Sequence, residues 1–464
     1  MRILPAVTAT PEQLSILTDN RAGAMLIRGA AGSGKTTTAL MRLKQLCAAW
    51  RSRQARLGLT GPVRVLVLTY NRTLEGYIHE LAQMQIADSD DLHLRVSTFG
   101  KFASGLLANP GILDPDTVDG KVNQLGAGLG LEPDYLADEV EYVLGRFAPQ
   151  DLEDYMTARR DGRGVAPRVD AALRRRILDD VVYPYAAYKV QNGLRDWNDV
   201  AIQAGQTPAT PWDVVVVDET QDFSANQIRA IVRHLAPDHS LTFVMDAAQR
   251  IYPRGFTWRE AGITLGATRT LATNYRNTRQ IAAFARPLVE GLAIGDDGAL
   301  PDLTATSTSG PLPQVVAGTY DAQLRYVIDT VVTPAIAANE SVAFLQPMGS
   351  SWFRHLKSKL TNEGIDWVSL TRKSDWPTGG ECVAVCTLHS AKGLEFDHVI
   401  IPGLNQEVTP HGDEPGDGQL DELRRLVAMG LGRARKTATI GYKPGEESSL
   451  IGYLAPGTFQ QMNV

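Results

Sequence analysis

The stretch Gly29-Ala30-Ala31-Gly32-Ser33-Gly34-Lys35-Thr36 follows directly on the apolar run Met25-Leu26-Ile27. It is a complete G-x-x-x-x-G-K-[ST] loop in the setting such a loop requires. A buried strand leads into a glycine-rich turn whose backbone N–H groups face inward around a phosphate. The helix that follows presents the positive end of its dipole. Lys35 adds a point charge, and Thr36 a hydroxyl suited to a phosphate-bound Mg²⁺. Leu40, Leu43 and Cys47 then recur at i, i+3 and i+7, the spacing of a helix with one buried face. A chain built round this loop is expected to fold as α/β and to bind ATP or GTP.

At 464 residues the chain is too long for one core and implies two to three domains. Its 44% hydrophobic and 21% charged residues are those of a globular protein. The N-terminus has no basic-then-apolar leader and no run reaches membrane-spanning length, so a soluble, cytoplasmic protein with no membrane partner is expected. Cys47, Cys382 and Cys386 read as buried thiols rather than a disulfide framework or a metal site. A net charge of −6 does not announce a nucleic-acid binder, yet a groove that tracks a strand needs only local positive charge. Seven arginines lie between Arg159 and Arg176, and six acids between Glu407 and Glu422, each run readable equally as a solvated surface.

Along the chain, Thr10-Pro11-Glu12-Gln13 is a capped helix start with Gln13 at the capping-box position. Strands are expected at Val63–Thr69 and Leu92–Phe99. From Phe102 to Gln206 the pattern turns helical. The unbroken apolar run Asp213-Val214-Val215-Val216-Val217 then marks a parallel strand buried on both faces, and Leu241–Met245 another. Asn274-Tyr275-Arg276 reads as a helix start, followed by strands at Val342–Leu345, Val383–Thr387, His398–Pro402 and Thr437–Tyr442. The alternation predicts two α/β units, 1–103 with 207–270 and 271–464, and a helical insertion at 104–206.

Asp218-Glu219, ending the valine strand, supplies what a phosphate loop lacks. Asp218 would join Thr36 in holding Mg²⁺, and Glu219 would orient and deprotonate water. Gln249, after the next strand, is placed to contact a γ-phosphate. Arg276 and Arg433 in the second unit are candidates to stabilise transition-state charge across a cleft.

The ordered set Gln13, GAAGSGKT, TYN at Thr69, STF at Ser97, DETQD, D-x-x-Q-x-I-Y at Asp246, NYRNT at Asn274, TLHSAKGLEF at Thr387 and RRLVAMGLGRA at Arg424 resembles the UvrD/Rep-type superfamily 1 helicases. The resemblance implies two RecA-like P-loop NTPase domains with a helical insertion in the first. It also implies ATP-driven 3′-to-5′ movement on single-stranded nucleic acid, DNA rather than RNA. By position, Gln13 would read adenine, Tyr275 would stack on it and Glu395 would contact ribose. Lys35, Asp218, Glu219 and Gln249 would act at the phosphates, with Arg276 and Arg433 as arginine fingers. Thr69, Tyr70, Asn71, Thr98, Phe99, Tyr252, Thr387 and His389 would line the strand track, where base stacking on an aromatic is worth about 1–3 kcal/mol whatever the sequence.

Thr37 stands where the family has an adenine-packing arginine, Gly100 where it has a histidine and Gly432 where it has a threonine. No tryptophan closely follows Ile251-Tyr252, and Trp258 is the available substitute. Between Gly364-Ile365 and TLHSAKGLEF the family carries a large second insertion, and Val368–Glu381 leaves no room for it. With no nuclease or C-terminal extension either, a protein partner such as a nuclease or a defence or repair subunit is expected to help engage the strand. The alternative reading is a nucleic-acid-sensing ATPase subunit of a repair or phage-defence complex that does not unwind alone.

Overall fold

Val214–Val217 is completely buried because it runs through the middle of a parallel sheet with side chains packed on both faces. The computed structural model describes residues 9–29, 32–70, 72–85, 91–107, 111–159, 169–208, 210–245, 256–271, 274–292, 306–347, 351–371, 376–377, 379–408 and 418–464. Among these, the first sheet contains β1 (Gly23–Gly29), β2 (Val63–Thr69), β3 (Leu92–Thr98), β4 (Trp212–Val217), β5 (Leu235–Met245) and β6 (Leu265–Leu271). All are parallel, in the order β3-β2-β4-β5-β1-β6. From β1 the chain crosses to β2 and walks outward to β3, then returns through β4 and β5 and ends on the far side of β1. That reversal puts the carboxyl ends of β1 and β4 on either side of β5, the place where open α/β sheets hold ligands.

The alternation of side chains divides the core in two. Met25, Ile27, Val65, Val67, Val214 and Val216 meet the helix Lys35–Leu57 through Leu40, Leu43, Leu46 and Cys47. Leu26, Leu66, Leu68, Val215 and Val217 face the other way, onto Phe99, Phe102, Ile228 and Ile231. Val200, Ala201 and Ala204 belong to this second cluster, so the helix Trp197–Gln206 packs on the first unit. The helical region before it has its own core around Val140, Val143, Leu178, Val181 and Tyr185. Asn226 anchors it, its Nδ2 donating to the carbonyls of Leu144 (2.8 Å) and Phe147 (2.9 Å).

A short parallel ladder, β7 (Asn274–Thr278) with β8 (Thr306–Thr308), leads to the second unit. The NYRN residues are therefore strand, not the start of a helix. Thr278 caps the following helix Arg279–Val289 by accepting from Ile281 N, which fixes the helix start after the motif. The second sheet holds β9 (Gln314–Ala317), β10 (Val342–Gln346), β11 (Trp367–Ser369), β12 (Val383–Thr387), β13 (Phe396–Ile401), β14 (Ala434–Tyr442) and β15 (Gln460–Asn463). It too is parallel throughout, in the order β11-β12-β10-β13-β14-β9-β15. Cys386 is buried in β12, whereas Cys382 is half-exposed because the strand begins only at Val383. Two α/β units with a helical insertion in the first are consistent with the RecA-like fold family. No described helix is long and apolar enough to cross a membrane.

The connection from β11 to β12 reaches across to the first unit. Trp376 packs on Tyr77, a residue of the helix Arg72–Gln85, with ring centroids 5.0 Å apart. Both rings are largely buried.

Candidate functional site

The phosphate loop is built on glycines whose backbone conformation or close packing disfavours a side chain. Gly32 and Gly34 have φ of +80° and +76°. A Cβ on Gly29 would fall 2.5 Å from the Leu271 carbonyl oxygen and 2.6 Å from Ser33 Oγ. Ala30 and Ala31 lie outside the described residues. Lys35 Nζ donates to the Gly29 carbonyl at 2.9 Å, so the ammonium lies across the loop. Ser33 Oγ is fully buried and makes no hydrogen bond. A buried hydroxyl without a partner costs about 1–3 kcal/mol, and a phosphate oxygen in the loop would satisfy it. The residues present thus fit a nucleoside triphosphate.

Thr36 Oγ1 donates to both carboxylate oxygens of Asp218, at 3.0 and 3.2 Å. The tip of β4 is thereby joined to the start of the loop's helix, with the hydroxyl and carboxylate that a phosphate-bound Mg²⁺ takes. Burial first, and then the neighbouring Glu219 charge, push the Asp218 carboxyl up to about 7. A divalent cation would relieve the same cost.

Glu219 is largely buried and has a left-handed backbone, φ +51°, which is strained for a residue with a Cβ. Gln221 Nε2 donates to its Oε2. Lys392, from the loop after β12 in the second unit, places Nζ 4.0 Å from the same oxygen and pairs directly with Asp222. Burial alone would push the Lys392 ammonium down, but Asp222 and Glu219 hold it above its ordinary value.

Gln13 serves two ends. Its Oε1 accepts from Thr10 N at 2.9 Å and closes the capping box of helix Pro11–Leu17. Its Nε2 turns to the phosphate loop, where a Cβ on Gly34 would meet it at 2.8 Å. Thr37 is half-buried on the first turn of the helix after the loop. In the second unit the backbone of Tyr275 and Arg276 lies in β7, while their side chains fall outside the described ones. Arg433 is buried at the foot of β14, and its carbonyl accepts from Phe396 N beside half-buried Glu395. Asn277 fastens these segments together. Its Nδ2 donates to the carbonyls of Gly432 (3.1 Å) and Ala434 (2.6 Å), which bracket Arg433. Gln249 lies outside the described residues.

The residues expected along a strand track divide. Tyr70 and Thr387 are half-buried at the carboxyl ends of β2 and β12, and His389 is exposed just beyond. Thr69 is fully buried. Thr98 is largely buried and caps the helix Phe99–Leu106, accepting from Lys101 N at 3.3 Å. Phe99 departs from the expectation of a stacking ring. It is 4% exposed and wedged between Phe102 and Phe223, because the pattern that begins the helix turns it into the sheet's apolar face. Asn71 and Tyr252 lie outside the described residues. Trp258 packs on Phe243 at 4.6 Å, against the core.

Sequence reasoning missed Trp197. Its ring is 40% exposed and lies over Gly100, where a Cβ would sit 3.1 Å away. The glycine found where a histidine was expected makes room for this indole. Only the fold brings positions 100 and 197 together. The arginine run contributes less than its charge suggests. Arg174 Nη1 donates to the carbonyls of Tyr155 (2.7 Å) and Ala158 (2.8 Å), Arg175 pairs with Glu153 and Arg176 with Asp180.

Two family models match the chain, one described as AAA domain over residues 13–254, the other as UvrD-like helicase C-terminal domain over residues 356–444. DNA helicase II of Haemophilus influenzae is 47% identical over 64 residues, 13% of this chain and 8% of that protein. ATP-dependent DNA helicase Rep of Escherichia coli is 40% identical over 57 residues, 12% of this chain and 8% of that one. The match therefore spans less than a tenth of either helicase. A probable DNA helicase of Mycoplasma pneumoniae is 24% identical over 457 residues, 92% of this chain and 81% of its own length.

Proposed function

Given that the chain belongs to the UvrD/Rep-type superfamily 1 helicases, we propose that it is an ATP-driven motor moving 3′-to-5′ on single-stranded DNA. The observation that carries the reading is the meeting of a phosphate loop, the Thr36–Asp218 pair and a cation of the second unit at one crevice. ATP supplies the transferable phosphoryl group, and its Mg²⁺ draws charge from the phosphates. Lys35 and the loop N–H groups hold the phosphate chain, with Thr36 and Asp218 as the protein's metal ligands. Glu219 orients the attacking water and takes its proton. Arg276 and Arg433 offset the charge that develops on the transferred group, and Gln249 senses its loss. Gln13 and Tyr275 hold the base and Glu395 the ribose. Tyr70, Asn71, Tyr252, Thr387 and His389 line the track, joined by Trp197. Thr69, Thr98 and Phe99 shape it from beneath.

The reading is tested by steady-state ATP hydrolysis of the purified chain with no nucleic acid, single-stranded DNA, duplex DNA or single-stranded RNA. Stimulation by single-stranded DNA above the other three supports the motor. Equal, low rates in all four support instead an ATPase subunit that depends on a protein partner. The internal pairing of Arg174, Arg175 and Arg176 favours that second reading to the extent that it leaves less positive charge for a strand.

A further inference from the structure

The phosphate loop and both acids belong to the first unit, yet the ammonium beside Glu219 comes from the second. Lys392 is 3% exposed, Asp222 is 0% exposed and Glu219 is 8% exposed, so the three charges share one desolvated pocket. A buried ion pair is a poor stabiliser compared with apolar residues of the same size. Its placement against the hydrolytic carboxylate suggests a different use. Lys392 also lies one short turn from the strand-facing surface. Its backbone N–H donates to the His389 carbonyl at 3.2 Å, closing the 3₁₀ turn His389–Ala391 that begins where Thr387 leaves β12. Thr387 is fixed to that turn, its Oγ1 donating to Ser390 Oγ at 3.0 Å. The phenol of Tyr70 lies within electrostatic reach of the same ammonium.

We propose that Lys392 is a positioning residue for hydrolysis: held by Asp222 and lying beside Glu219, it fixes the catalytic carboxylate, so that the seat of the 387–392 loop sets the rate of turnover. A strand resting on Thr387 and His389 then reaches the ATP site through three residues of backbone. Glu219 is strained and is tethered within its own unit by Gln221, so a cation from the other unit is what registers whether the two units are seated together. The inference rests on the ATPase reading above.

The test uses the full chain, saturating ATP and oligo-dT. Lys392→Met should lower kcat about a hundredfold, the scale of a misplaced catalytic group, while KM for ATP stays within about twofold because no ground-state contact is lost. Lys392→Arg should recover part of that loss. The double variant Lys392→Met with Asp222→Asn removes both members of the direct ion pair, so that neither is left buried without the other. It should restore the melting temperature yet leave kcat low. Recovery of kcat in the double variant would reduce Lys392 to a counter-ion for Asp222 and overturn the proposal, as would an unchanged kcat in Lys392→Met. If the wild-type chain hydrolyses no ATP under any condition, the ATPase reading fails and takes the inference with it. If the wild type is active and only the Lys392 results go the wrong way, the inference fails alone.

Discussion

The two α/β units have the same parallel architecture, but the residues that flank their strands carry opposite chemistry. The first sheet ends in a phosphate loop and in Asp218, Glu219 and Asp222. The second carries His389 and Lys392 beyond β12 and has Arg433 just before β14. One half carries the groups proposed to hold phosphate and metal, the other carries cations. Neither is a complete site, and what makes it one is the seating of one unit against the other.

The largest effect should come from breaking the first half. Lys35→Ala and Glu219→Gln are each expected to reduce hydrolysis to background, at least about a thousandfold. Only Glu219→Gln should still bind ATP, as read by a fluorescent nucleotide analogue; normal turnover in it would place the base elsewhere. Breaking the second half should cost nearly as much. Arg433→Ala is expected to lower kcat by about 10³, the lower end of the range for an arginine that meets transition-state charge, with a much smaller change in nucleotide affinity. A rise in KM with kcat intact would mean that Arg433 binds ground-state phosphate instead.

Loosening the second half without removing its charge sharpens the comparison. Asn277→Ala leaves the Gly432 and Ala434 carbonyls without this partner and should cost about 1–3 kcal/mol of stability. It should also lower kcat, because β7 and the foot of β14 carry Arg276 and Arg433. A stability loss with kcat unchanged would show that the clamp does not orient the arginines. The smallest effect concerns the track alone. Trp197→Ala should weaken binding of single-stranded DNA by about 1–3 kcal/mol, the value of one stacked base, measured by fluorescence anisotropy. Equal affinity would make Trp197 a packing residue over Gly100.

How much of this could be read beforehand depended on whether the signal was local. The phosphate loop, the capping box at Thr10 and Gln13, and the valine run that becomes β4 are written in consecutive residues or a fixed period, and the structure has them where the pattern puts them. β6 alternates half-buried and exposed positions and contains Gly, Thr and Arg, so as an edge strand it carries no apolar run to betray it. β7 read as a helix start because the capping signal at Thr278 comes only after it. The arginine run could be read either as local positive charge for a strand or as a solvated surface, because a sequence does not show which carbonyls and acids will fold against Arg174, Arg175 and Arg176. Trp197 over Gly100, Asn277 on Gly432 and Lys392 on Asp222 join positions far apart in the chain, and no periodicity records them.

The left-handed backbone of Glu219 gives this position an unusual selective history. For a residue bearing a Cβ that conformation costs about 1–2 kcal/mol, a cost that glycine escapes. In the middle of a helix or strand alanine is ordinarily the more stable of the two by roughly 0.5–1 kcal/mol. Here the order should invert, with Glu219→Gly melting above Glu219→Ala although both lack the carboxylate. Drift toward a sturdier fold therefore leads away from glutamate at this position, and a lineage keeps the acid only while turnover is under selection. A glycine in the second place of D-E-T-Q-D in a related chain would mark one in which the proposed hydrolytic role of this acid is no longer under selection.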